Sequence, residues 1–66
     1  MFRTITATYA SKIAVTNVVD ELINSGLPSE KISSDDDKML VMVKVPTTEV
    51  PGITEILNRH EPTKIS

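Results

Sequence analysis

The chain has 66 residues, no cysteine and only two aromatic side chains, Phe2 and Tyr9. A chain of this length forms at most one domain and buries only about 60% of its unfolded surface. We therefore expect self-association to add to the stability of the fold. The lack of cysteine excludes disulfide bonds and thiolate metal sites, and the net charge of −2 argues against binding to nucleic-acid backbones.

The first predicted element is a β-strand over residues 2–9, in which β-branched and aromatic residues dominate. Alternation along the strand puts Arg3, Ile5, Ala7 and Tyr9 on one face, with Ile5 and Ala7 toward the core. The opposite face then carries Phe2, Thr4, Thr6 and Thr8. We therefore expect a strand that is buried on one side only.

The segment that follows predicts an amphipathic helix. Ser11 is a suitable N-cap, and apolar residues recur at three- and four-residue spacing over residues 14–23. Gly26 fits the left-handed position just after a helix, where Leu27 would fold back on Leu22 in a Schellman motif.

Two strands joined by an acidic turn are predicted next. A short strand covers residues 31–34, polar residues 35–38 form the turn, and residues 39–45 form the strongest strand of the chain. One face of this strand carries Val41, Val43 and Val45, and the other carries Leu40, Met42 and Lys44. Because both faces are mostly apolar, we expect the strand to be central in its sheet.

The last part of the chain predicts a second helix and a short edge strand. Thr47 or Thr48 can cap the helix, Pro51 is tolerated in its first turn, and helical spacing continues to His60. Residues 63–66 leave room for the edge strand.

The order strand-helix-strand-strand-helix-strand is that of the ferredoxin-like α+β fold. Right-handed crossovers then predict one antiparallel four-stranded sheet, in the order 4-1-3-2, with both helices on one face. We expect residues 1–66 to form this single domain.

Three stretches carry a resemblance to a known family: TATYASKIAVTNVVDELINSGLPSEKIS at residues 6–33, VMVKVP at 41–46 and TEILNRHEPTKI at 54–65. Together they resemble small bacterial domains of the general stress protein (heat-induced stress protein) family. The resemblance implies a ferredoxin-like fold and no catalytic residues. The chain differs in having Glu61 where glycine is common, and Pro51 with Gly52 early in the second helix.

Two features of the sequence could support chemistry. The adjacent carboxylates Asp35, Asp36 and Asp37 are candidate ligands for Ca²⁺ or Mg²⁺, but they lack the spacing, glycine and closing glutamate of an EF-hand loop. We favour a solvated turn. His60 is the only histidine, and a structural role near a helix C-terminus is favoured over a site.

The face of the predicted sheet that turns away from the helices is the strongest functional candidate. Its candidate interface residues are Phe2, Thr4, Thr6, Leu40, Met42 and Lys44. An exposed apolar patch of this kind usually marks an interface.

We therefore expect a non-enzymatic interaction or regulatory module that forms a homodimer or docks on another protein through this face. The alternative is a sensor domain that binds a small molecule or a divalent cation. We expect no cofactor and no nucleic-acid or membrane partner. A cytoplasmic location is predicted, because the N-terminus lacks the long apolar run of a signal peptide.

Overall fold

The computed structural model describes every residue from Met1 to Ser66. It contains two helices and four strands: β1 (Phe2–Thr8), α1 (Lys12–Asn24), β2 (Ile32–Asp35), β3 (Leu40–Pro46), α2 (Val50–Arg59) and β4 (Lys64–Ile65). Short 3₁₀ turns, Ser29–Lys31 and Thr47–Glu49, precede β2 and α2. The predicted α+β content is confirmed.

The four strands form one open sheet in the order β2-β3-β1-β4, which is 4-1-3-2 when counted from the β4 edge. Every pair of neighbours is antiparallel. Strand β3 lies between β2 and β1, in the central position that its two apolar faces predict. The long pairing of β1 with β3 runs from Phe2 opposite Pro46 to Thr8 opposite Leu40.

One face of the sheet and both helices enclose a single hydrophobic core. Its buried members are Ile5, Ala7, Tyr9, Val15, Val18, Leu22, Val41, Val43, Val45, Ile53 and Leu57. These residues come from alternate positions of β1 and β3 and from the apolar stripes of α1 and α2. Both helices therefore lie on the same face of the sheet, and the other face has no helix against it.

Helix α1 begins and ends where the sequence predicts. The Ser11 hydroxyl accepts a hydrogen bond from the Ala14 backbone N–H at 3.2 Å, as an N-cap does. At the other end Gly26 has a φ of 104°, and the Leu27 N–H donates to the Leu22 carbonyl at 3.2 Å. This bond closes the predicted Schellman motif.

The start of α2 differs from the prediction, because neither Thr47 nor Thr48 caps the helix. Both threonines belong to the 3₁₀ turn Thr47–Glu49, which leads directly into α2 without a side-chain cap. A capping residue needs an extended backbone, and the turn does not provide it. Pro51 does lie in the first turn of α2, where its missing N–H costs no helical hydrogen bond.

Strand β2 lies one residue later than predicted. Lys31 closes the 3₁₀ turn instead of starting the strand, and Asp35 still pairs with Leu40 of β3. The turn between the strands therefore contains residues 36–39, with Met39 in the left-handed region at a φ of 52°.

Candidate interaction surface on the open face of the sheet

The open face consists of the side chains that β1, β2 and β3 turn away from the helices. Directly opposed residues of antiparallel strands point to the same side of a sheet. The pairs on the open side are Thr4 with Lys44, Thr6 with Met42, Thr8 with Leu40, Ser33 with Met42, and Asp35 with Leu40. The structure thus brings all six predicted interface residues together on one face.

Only two large apolar side chains are exposed on this face. Phe2 is 55% exposed and Met42 is 38% exposed, while Leu40 is half-buried at the far end of the strand. Thr4 and Thr6 occupy the positions between Phe2 and the end of β1. The face is therefore a threonine surface with an aromatic side chain at one end and a methionine in its middle.

Two lysines flank the exposed aromatic ring. The Nζ atom of Lys31 lies 5.7 Å from the centroid of the Phe2 ring, and that of Lys44 lies 5.8 Å from it. Both distances fall within the range of cation–π attraction. Lys31 is not among the predicted interface residues, because the sequence does not show which residues of the neighbouring strands its side chain meets.

A shallow hollow of about 370 Å³ lies beside this aromatic ring. It is lined by Thr4, Glu30, Lys31, Ser33, Met42 and Lys44. Neither lysine forms an ion pair, because the ion pairs of the chain involve only Glu21, Glu55, Arg59 and His60. Two unpaired ammonium groups thus lie at one end of the open face.

The acidic turn at the other end of the strands has a local structural role. One carboxylate oxygen of Asp35, Oδ1, accepts hydrogen bonds from the backbone N–H groups of Asp37 at 3.0 Å and of Lys38 at 3.2 Å. This is the turn geometry that aspartate commonly stabilises. Asp36 and Asp37 are exposed, and no group of three or more His, Cys, Asp or Glu side chains in the chain could hold a metal ion.

A second cluster of charged groups joins the two helices on the far side of the molecule. Glu21 Oε1 lies 2.7 Å from His60 Nε2, and Glu21 Oε2 accepts a hydrogen bond from the Arg59 guanidinium at 2.7 Å. Arg59 also bonds to Glu55 at 3.1 Å. The hydrogen bond with His60, helped by that of Arg59, lowers the pKa of Glu21 below its usual value.

This cluster was not predicted from the sequence, since Glu21 and His60 are 39 positions apart. Only the packing of α1 against α2 brings them together. The His60 side chain has Glu21 as its one hydrogen-bonding partner, and no serine or threonine hydroxyl forms a hydrogen bond with it. The arrangement therefore links two helices and has the geometry of a surface ion pair.

A second shallow cavity, of about 420 Å³, lies between the end of α1 and the start of α2. Its walls are Ser25, Gly26, Leu27, Pro28, Thr48, Glu49, Gly52, Ile53 and Ile56. Glu49 is its only ionisable side chain. This cavity therefore lacks the converging polar groups that define a small-molecule site.

No helix of the chain is both long and apolar enough to cross a membrane. Comparisons with protein-family models, with curated proteins and with solved structures found no match to this chain.

Proposed function

We propose that this protein is a non-enzymatic interaction module that binds a protein partner through the open face of its sheet. The observation that carries the proposal is that only one face of the sheet is covered. Both helices pack on that face, and Phe2 is 55% exposed on the other. A small domain with a half-covered sheet has much to gain from covering the second face, since burial of apolar area is the main stabilising term.

The proposal includes a ferredoxin-like assignment of the fold. The element order and the antiparallel sheet with both helices on one face support it. Membership of the general stress protein family stays a prediction that rests on the sequence patterns quoted above. Because one fold serves many functions, the fold itself does not select among partners.

The other candidate functions have less support. The carboxylates Asp35, Asp36 and Asp37 follow one another along a turn, and one oxygen of Asp35 already accepts hydrogen bonds from backbone N–H groups. A cation sensor would need these oxygens to converge on a common point. An enzyme would need a nucleophile or a free titratable group beside His60. The titratable group beside His60 is Glu21, and it already pairs with Arg59.

The test compares two variants that each alter exposed apolar side chains. Phe2→Ser combined with Met42→Glu changes the open face, and Ile13→Glu changes a residue of α1 that is 74% exposed on the helical side. We expect the open-face variant to lose association with the partner, which includes self-association, while the Ile13→Glu variant retains it. Light scattering at micromolar to near-millimolar concentration measures self-association, and thermal unfolding at low concentration checks that both variants fold. Association of the open-face variant at wild-type strength would contradict the proposal.

A further inference from the structure

The open face carries its charge unevenly along the direction of the strands. Lys31 and Lys44 lie at the end where β1 begins, Lys31 just before β2 and Lys44 within β3, and both approach the Phe2 ring. Glu30 lines the same hollow, but it offsets only one of the two lysines, and the hollow keeps a net positive charge. Neither ammonium group has a carboxylate partner within the chain.

The opposite end of the same face is acidic along its β2 edge. Asp35 points to the open side because it pairs with Leu40, and Asp36 and Asp37 follow in the adjoining turn. Lys38 belongs to the same turn, and Lys64 pairs with Thr8 at the distant β4 edge. The β2 side therefore has positive charge at one end and net negative charge at the other.

Building on the proposed function, we propose that the partner of the open face is a second copy of this chain, packed face to face and end over end. A two-fold axis that lies between the two copies, parallel to the sheet plane and perpendicular to the strands, keeps β2 opposite β2 and reverses strand direction. It places Lys31 and Lys44 of each copy against the Asp35 end of the other. A two-fold axis parallel to the strands would instead place the lysine-bearing ends of both copies at the same end of the dimer.

The apolar residues of the face follow the same arrangement. Phe2 lies at one end of the long β1–β3 pairing and the Thr8–Leu40 pair at the other, so reversal brings Phe2 of one copy over the Thr8–Leu40 end of the second copy. Met42 and Thr6 form a pair near the middle of the face, close to the axis. Sheets that pack in this way lie about 10 Å apart with interdigitating side chains. Such an interface is isologous and closes as a dimer.

Charges of this kind fix orientation more than affinity, and this predicts how the chain responds to charge reversal. A variant with Lys31→Glu and Lys44→Glu has two acidic ends, and a variant with Asp36→Lys and Asp37→Lys has two basic ends. Asp35 is kept in both, because its carboxylate holds the turn. Each variant alone would oppose like charges in the end-over-end dimer, whereas one copy of each would pair opposite charges at both ends.

The experiment measures molar mass by light scattering for each variant alone and for their equimolar mixture, at a concentration where the wild-type chain is dimeric. We expect each variant alone to associate at least tenfold more weakly than the wild type, and the mixture to form a heterodimer at near wild-type strength. Lys12→Glu is the matched control, because it reverses a charge on α1 away from the open face. It should leave the dimer unchanged. Amide spectra of each variant check that the fold is kept.

Two results would overturn the inference while leaving the proposed function intact. One is a wild-type chain that stays monomeric to near-millimolar concentration, which would leave another protein as the occupant of the face. The other is association of both charge variants at wild-type strength while the Phe2→Ser, Met42→Glu variant is monomeric. That outcome would keep the open face as the interface and exclude the end-over-end arrangement. Weak association of each charge variant alone, with near wild-type association in their mixture, supports the end-over-end arrangement.

Discussion

The two faces of the sheet are built from the same two central strands, because successive residues of a strand point to opposite faces. On the covered side, Ala7, Val41 and Val43 are fully buried beneath the helices. On the open side, Thr4, Met42 and Lys44 are exposed.

Valine and threonine are both β-branched and have nearly the same shape, so both favour a strand. The hydroxyl group is the main difference between them, and it is better accommodated on the open side of β1, where it can meet water. The comparison shows that strand formation and the choice of buried face depend on separate properties of the same side chains.

The largest expected effect comes from removing volume on the covered side. Leu22→Ala leaves a cavity at a fully buried position and should lower the free energy of unfolding by about 2–5 kcal/mol. Ile23→Ala changes the neighbouring residue, which is 44% exposed, and should cost under about 1 kcal/mol. Urea unfolding followed by circular dichroism at low concentration measures both. Equal losses for the two variants would contradict the assignment of the buried face.

An exchange of valine and threonine tests the two faces with the smallest change in shape. Val43→Thr puts a hydroxyl group into the core and should destabilise the fold by about 1–3 kcal/mol. Thr4→Val makes the reverse change on the open face and should alter stability by no more than about 0.5 kcal/mol. Thermal unfolding of both variants provides the measurement. A Thr4→Val change as large as that of Val43→Thr would mean that the open face is also part of the core.

Tyr9 is the one core residue that combines burial with a hydrogen bond between the sheet layer and a helix. Its hydroxyl donates to the Leu57 carbonyl at 2.8 Å. Tyr9→Phe should cost about 1 kcal/mol, because the bond is lost while the carbonyl keeps the His60 N–H as a second donor. Urea unfolding measures this loss. No measurable loss would show that the bond does not stabilise the packing of α2.

The same residue predicts a response to alkaline pH. Burial raises the pKa of Tyr9 to about 12, above its unfolded value of about 10. The folded state therefore binds a proton that the unfolded state releases, and this stabilisation is complete below pH 10 and is lost as the pH rises toward 12. Tyrosinate absorbance should appear near pH 12 or with unfolding. Ionisation at pH 10 in the folded chain would contradict the burial of this ring.

The smallest expected effect concerns the charged cluster that joins the two helices above the covered face. The pKa of Glu21 is lowered by its hydrogen bonds with His60 and Arg59, so its stabilising contribution is present above the unfolded pKa, about 4.3, and is lost as the pH falls through the folded value. Glu21→Gln should therefore reduce the loss of stability on acidification in this range. Urea unfolding at a series of pH values from neutral to 3 tests it. An unchanged acid response would show that the cluster does not stabilise the folded state.

Local patterns in the sequence predict much of this architecture. The Ser11 cap and the Gly26 end of α1 depend on residues a few positions apart, and both are present. The central position of β3 follows from its two apolar faces. The missing threonine cap of α2 and the one-residue shift of β2 have a common cause, because a 3₁₀ turn precedes each element and alters where it begins.

The features that could not be predicted depend on contacts between distant segments. Lys31 reaches Phe2 only after β2 and β1 have both paired with β3. Glu21 meets His60 only after α1 and α2 have packed side by side. The sequence could place Phe2, Met42 and Lys44 on one face by alternation, but it could not show that Lys31 joins Lys44 beside the Phe2 ring.

The central claim is that the open face is the surface through which this protein binds, and concentration-dependent NMR of the wild-type chain tests it most directly. We expect amide shifts that change with concentration to be concentrated in β1, β2 and β3, at open-face positions such as Thr4, Ser33 and Met42. Residues on the outer side of α1, such as Ile13 and Asn17, should not change. Concentration-dependent shifts confined to the helices, with β1 and β3 unaffected, would contradict the account.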